Sequence, residues 1–213
     1  MLITIPIYDR FTALDAVGPY EVLSRLPGAK VVFVAERAGP VRTDTRALTL
    51  VAERALADVD ACDVVVVPGG PGTREMLEPQ PLHEWLRAID ATTQWTTSVC
   101  TGALLLGAAG LLDGLEATTH WSAFDTLATL GARPTERRVV HQGKVVTAAG
   151  VSAGIDMALW LAAQIAGDEV AKAIQLGIEY DPQPPFDSGS IAKASPETKE
   201  LVRLATSSPP TSA

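Results

Sequence analysis

Cys100 is the residue with the clearest chemical capacity. It stands in Ser98-Val99-Cys100-Thr101-Gly102, where a short β-branched run gives way to an apolar helical pattern. A side chain on such a strand-to-helix turn is held exposed above the sheet, at the strands' carboxyl end. It also faces the free N–H groups of the helix N-terminus, which favour an anion. This setting predicts a nucleophilic thiol of lowered pKa. Cys62 precedes a strand of four valines and reads as a buried structural thiol. Pro68-Gly69-Gly70-Pro71-Gly72 follows that valine strand. It lacks a P-loop lysine and the spacing of a dinucleotide fingerprint. Glycines there nonetheless let backbone N–H groups point into a crevice as donors to a developing anion, with a plain turn as the alternative. Asp15 lies in Phe11-Thr-Ala-Leu-Asp15-Ala-Val-Gly18-Pro19, after the first strand. It reads either as a helix cap or as a catalytic acid at a strand's carboxyl end. His120, in Ala117-Thr-Thr-His120-Trp121, invites a Cys–His pairing. His83, His120 and His141 are scattered without metal-like spacing, so no metal site is expected.

The elements that position these residues alternate between β-branched runs and helical patterns, which predicts βαβ units and a largely parallel, buried sheet in an α/β fold. Strands are expected at Leu2–Ile7, Lys30–Glu36, Val64–Val67 and Thr96–Val99. Helices are expected at Ala16–Ser24, Pro81–Ala91, Gly102–Ala109, Ser122–Leu130, Ala153–Ile165 and Asp168–Leu176. Arg138–His141 and Lys144–Thr147 flank Gln142-Gly143 and predict a hairpin. Arg42–Val51 reads as a second hairpin. Beyond Tyr180 a turn segment rich in Pro, Asp and Ser precedes a short helix near Pro196–Ala205. The expectation is one domain over residues 1–206 and a frayed tail over 207–213.

Composition narrows the function classes. Apolar residues make up 47% and charged residues 20% of the 213, the balance of a packed globular chain. Seventeen basic against twenty-five acidic side chains give a net charge of −8, which disfavours nucleic acid and anionic lipid as partners. Two cysteines are too few for a disulfide framework and fit a reducing, cytoplasmic compartment. The chain contains no Asn, so none can be glycosylated or orient a catalytic base. Met1–Ile7 reads as a strand and not as a signal peptide. Ala91–Leu112 is uncharged, but only Ala103–Leu112 is continuously apolar or Gly, too short to span a bilayer.

Four motifs together resemble the ThiJ/PfpI superfamily: Val67-Pro-Gly-Gly-Pro-Gly72, the Cys100 turn, Ala117-Thr-Thr-His-Trp121 and Gly150-Val-Ser-Ala-Gly-Ile-Asp156. The likeness covers nearly the whole chain, in the superfamily's order. Leu14-Asp15 with Gly18-Pro19, Ser98–Gly102 and Ile178-Glu-Tyr-Asp-Pro-Gln-Pro-Pro-Phe-Asp-Ser-Gly189 look most like its isonitrile-hydrating branch. The resemblance implies a flavodoxin-like three-layer sandwich with a Cys nucleophile elbow, a homodimer with the site near the subunit interface, and no cofactor. It implies Cys100 as nucleophile, Asp15 as the acid in contact with it, and the N–H groups of Gly70 and Thr101 as oxyanion donors. Thr101 stands where the peptidase branch has His, which argues against a peptidase. The regulator branch appends a DNA-binding domain, which is not expected on this acidic chain.

The activity so implied is hydration of an isonitrile to an N-substituted formamide through a thioimidate on Cys100. Asp15 would protonate the adduct, which requires a raised carboxyl pKa, and would then activate water. Gly69 and His120 are placed among the substrate contacts. Phe186 and Asp187 either line or close the pocket, or follow a Pro184-Pro185 turn that has no further role. Two alternatives share the same cysteine: a glyoxalase- or deglycase-type hydratase of α-oxoaldehydes, and a redox or stress sensor.

Overall fold

Branched side chains lose rotamer freedom in a helix and pack well on a pleated surface, so the Val- and Ile-rich runs become the sheet. The computed structural model describes residues 1–207. In chain order its elements are β1 (Leu2–Pro6), α1 (Ala13–Leu23), β2 (Lys30–Ala35), β3 (Gly39–Arg42), β4 (Thr49–Ala52), β5 (Arg54–Ala55), β6 (Val64–Val67), α2 (Pro81–Asp90), β7 (Trp95–Val99), α3 (Gly102–Ala108), β8 (Glu116–Ala117), α4 (Phe124–Thr129), β9 (Arg133–Pro134), β10 (Val139–Gln142), β11 (Val145–Ala148), α5 (Ala153–Ala166), α6 (Asp168–Gly177) and α7 (Pro196–Ser207). The chain divides into two compact units, Met1–Ile178 and the segment from Glu179 onward.

In the first unit seven strands form one sheet in the order β10-β11-β7-β6-β1-β2-β5. Every pairing is parallel except β10 with β11, the hairpin expected from Gln142-Gly143. Helix α5 packs against both α1 and α6, and α3 against both α2 and α4, and the mostly parallel sheet is flanked by helices in the expected α/β arrangement. All four valines of β6 are 0% exposed, as a strand covered on both faces requires. Each contributes about 1.5–3 kcal/mol relative to an exposed position.

The second hairpin is displaced from its expected limits. Strands β3 and β4 pair Gly39 with Ala52 and Arg42 with Thr49, so residues 43–48 form the loop between them. Helix α1 begins at Ala13, three residues earlier than expected, which puts Asp15 in its first turn. The start expected for α4 is instead a 3₁₀ turn, Trp121–Ala123. The short pairings of β5 with β2 and of β8 with β9 have no counterpart among the expected elements. In the second unit α7 extends over the helix expected near Pro196–Ala205. The frayed tail expected at 207–213 falls, from 208 on, outside the described residues. No described helix is long and apolar enough to cross a membrane.

Candidate active site

Three neighbouring strands, β1, β6 and β7, release the segments that carry chemistry. The chain passes from β1 to β2 on one side and places β6 and β7 on the other, so the strand order reverses beside β1. A crevice at the strands' carboxyl ends is expected at such a switch point. Tyr8 and Asp15 follow β1, the Gly69–Gly70 loop follows β6, and Cys100 follows β7.

Cys100 turns from β7 into α3 with φ 56°, a left-handed conformation that non-glycine residues seldom hold. Its N–H donates to Ala148 O and Ala149 O at 3.1 and 3.0 Å, and Thr119 Oγ1 donates to Cys100 O at 2.9 Å. These bonds fix the expected elbow. The backbone N–H groups of Val151 and Thr101 donate to the Cys100 sulfur, and Val151 is itself left-handed at φ 36°.

Asp15 is completely buried. Its Oδ2 accepts the Gly69 N–H at 2.9 Å, whereas Oδ1 has no N–H or O–H partner among the described residues. The carboxylate therefore serves the β6 loop, not the start of its own helix as a cap would. Burial, reinforced by the charge of Asp44, raises the Asp15 pKa to about 7, against the opposing pull of the Gly69 N–H and the Cys100 thiol. That elevation matches the expectation for a proton donor.

The thiol departs from expectation. Burial first, then the adjacent Asp15 charge, pushes Cys100 up to about 12 despite the Val151 and Thr101 N–H groups. The lowered value expected from the helix N-terminus fails because Cys100 is only 5% exposed and lies beside the Asp15 charge.

The glycine loop also differs in detail. Gly70 has φ 139°, and its N–H donates to Thr101 Oγ1 at 2.8 Å while that hydroxyl donates back to Gly70 O at 3.2 Å. A Cβ on Gly69 would lie 2.4 Å from Thr101 N. The N–H groups of Gly69 and Gly70 are thus bonded to Asp15 and Thr101, not aimed into open space as free donors. Of the two expected oxyanion donors, the Thr101 N–H serves the sulfur itself.

His120 lies at the margin. Its Nδ1 is 2.8 Å from Ser122 Oγ, and a Cβ on Gly150 would stand 2.8 Å from its Cδ2. The ring therefore rests on the residue preceding Val151. Burial, and secondarily the charge of Arg74, lowers its pKa, so the imidazole is neutral. Phe186 and Asp187 belong to the second unit, where Asp187 pairs with Lys193 at 2.5 Å and Phe186 is exposed.

Three residues at the site were not singled out from the sequence. Tyr8 donates its hydroxyl to Pro68 O at 2.7 Å, and its phenol is pushed well above its usual range by burial and then by the charges of Asp15 and Cys100. Thr119 carried a signal, since it precedes His120 in a quoted motif. Val151 carried none, because a left-handed valine is not visible in residue type.

Residues 1–164 match the family described as the DJ-1/PfpI family. The chain is 45% identical over 184 residues to a Pseudomonas putida isonitrile hydratase, covering 86% of this chain and 80% of that protein. It is 25% identical over 149 residues to a Caenorhabditis elegans protein named glutathione-independent glyoxalase DJR-1.2, covering 69% and 79% of the two chains. A crystal structure of a ThiJ/PfpI family protein from Pseudomonas syringae superposes with a TM-score of 0.91 at 38% identity, over 96% of this chain and 85% of that one. On both the fold and this match, the chain belongs to the DJ-1/PfpI family.

Proposed function

We propose that the chain hydrates isonitriles, R–N≡C, to N-substituted formamides. The observation that carries this reading is the buried pairing of Cys100 with Asp15, two acids of raised pKa that together hold one proton between about pH 7 and 12. The likeness to the Pseudomonas putida isonitrile hydratase supports the substrate class.

The steps balance on these two residues and water. Ionised Asp15 takes the Cys100 proton as the sulfur adds to the terminal isonitrile carbon. The N–H groups of Val151 and Thr101 steady the sulfur as its charge develops. Asp15 returns the proton to that carbon, giving R–N=CH–S–Cys100. Asp15 then removes a proton from water as its oxygen adds to the same carbon, and delivers that proton to nitrogen. Collapse of R–NH–CH(OH)–S–Cys100 breaks the C–S bond, moves the hydroxyl proton to sulfur through Asp15, and releases R–NH–CHO.

Turnover of an alkyl isonitrile, followed as formamide by NMR, tests this. Wild type should form it, and Cys100→Ala should leave only the uncatalysed background. A folded, reduced wild type that forms no formamide but converts an α-oxoaldehyde to a hydroxy acid would replace this reading with the glyoxalase-type one. That second reading draws on His120, whose neutral ring borders the elbow. The free state of both cysteines supports a reducing, cytoplasmic setting. A homodimer is part of the proposal: Leu14, Leu48 and Val51 are exposed apolar residues at 41%, 45% and 61%, and the β3–β4 loop is tied to the entry of α1 through the Phe11–Thr43 bridge. Sedimentation should give a dimer that Val51→Glu weakens.

A further inference from the structure

A cavity of about 460 Å³ opens beyond the carboxyl ends of β1 and β2, and Cys100 is not among its lining residues. Its volume lies within the range of small-molecule sites. Ile7, Tyr8, Val41, Leu56 and Leu82 give it apolar walls, and Arg37 and Arg42 are also among its lining residues. Arg10 pairs with Glu75 and Arg46 with Asp9. Arg37 and Arg42 have no ion-pair partner among the described residues. Of the two carboxylates lining the cavity, Asp9 is engaged by Arg46 and only Glu36 remains. Two unengaged guanidiniums against one carboxylate make this mouth locally cationic, on a chain whose net charge is −8. Guanidinium forks match the oxygens of carboxylates and phosphates in paired hydrogen bonds. An apolar chamber with two such forks suits a ligand that has an apolar body and one anionic end.

We propose that this cavity binds a small amphiphile with a single oxyanion head, a carboxylate or a phosphate monoester. The apolar body lies on Ile7, Tyr8, Val41, Leu56 and Leu82, and the head lies between Arg37 and Arg42. Tyr8 is the wall shared with the Cys100 site, since it lines the cavity while its hydroxyl donates to Pro68 O at 2.7 Å.

The test is calorimetric titration of the full chain with octanoate, octyl phosphate and octanol. At least one anion should saturate one site per chain, about tenfold or more tighter than octanol, and the tighter anion identifies the head. Arg37→Gln/Arg42→Gln should keep the ligand-free melting temperature and lose the preference for the anion. Leu56→Trp, which fills the chamber without touching charge, should abolish binding of all three. The proposal is overturned by absence of saturable binding at millimolar ligand, or by octanol binding as tightly as the anions. It is equally overturned if the double variant keeps its tenfold preference, or if binding survives Leu56→Trp.

Discussion

Asp15 and Cys100 occupy one buried space in which a single negative charge is tolerated and two repel. Burial raises both, and the Asp15 charge raises the thiol further, because ionising both would place like charges together in a poorly solvated site. Between about pH 7 and 12 the pair holds one proton, and its titration belongs to the pair. Thiolate then forms by passing a proton to a carboxylate, not by releasing it to water. Below about pH 7 the carboxyl is already protonated and has no room for that proton. Alkylation of Cys100 by chloroacetamide, and kcat/KM for isonitrile, should therefore fall about tenfold per pH unit below that point. Asp15→Asn should abolish turnover and leave alkylation rising only at alkaline pH. A flat wild-type profile from pH 5 to 9, or near-full activity in Asp15→Asn, would remove Asp15 from this role. Turn context alone marks Cys100 in the sequence, whereas the context of Asp15 leaves a helix cap open and its role as the acid comes with the family resemblance. The direction of the thiol's pKa was not legible there, since burial is set by segments around residues 8, 69, 119 and 151 that meet only in the fold.

At the scale of elements, the close fit of the elbow depends on missing side chains. A Cβ on Gly102 would lie 2.0 Å from Val67 O, a backbone atom that cannot yield. A Cβ on Gly154 would meet both methyls of Val99 at 3.0 Å and Pro19 at 3.2 Å, and one on Gly18 would meet Ile155 at 3.1 Å. Helix α5 is thereby drawn against α1 and β7, which brings Asp15 and Val151 to Cys100. Gly102→Ala should lower unfolding stability by about 3 kcal/mol and slow Cys100 alkylation, because β6 and α3 must separate to admit the methyl. Chemical denaturation checks the first effect; an unchanged midpoint would mean that α3 is not held so closely. The long runs were readable because their periodicity is strong: the valine strand, the Gln142-Gly143 hairpin and the amphipathic α2 stand at or near their expected places. The ends were not. Thr12, not an apolar residue, precedes the first turn of α1, and the two-residue pairings are too short to carry any period.

For the whole molecule, the strand order that sets the switch point arises from pairings between segments remote in sequence, so the sequence supplied the elements and family likeness supplied their arrangement. Assembling that order has a measurable cost, because it buries a carboxyl. In the unfolded chain Asp15 loses its proton near its ordinary value of 3.8, while in the folded chain it keeps the proton to about 7. Across that interval the folded state binds the extra proton, so stability falls as pH rises. The contribution is fully present below the unfolded value and is lost as pH passes the folded one. A displacement of about three pKa units corresponds to about 4 kcal/mol. Asn at position 15 offers the same carbonyl to the Gly69 N–H and carries no charge. Asp15→Asn should thus be the more stable protein at pH 8, by up to about 4 kcal/mol, with the gap closing towards pH 4. Urea midpoints of the two proteins at pH 4, 6 and 8 measure that gap, and other carboxylates cancel in the difference. A gap independent of pH would show that Asp15 is not held in its neutral form by the fold, and the proton economy proposed for the site would lose its basis. A gap that opens with pH while activity is lost would show that the fold gives up stability at this residue to keep a movable proton beside the thiol.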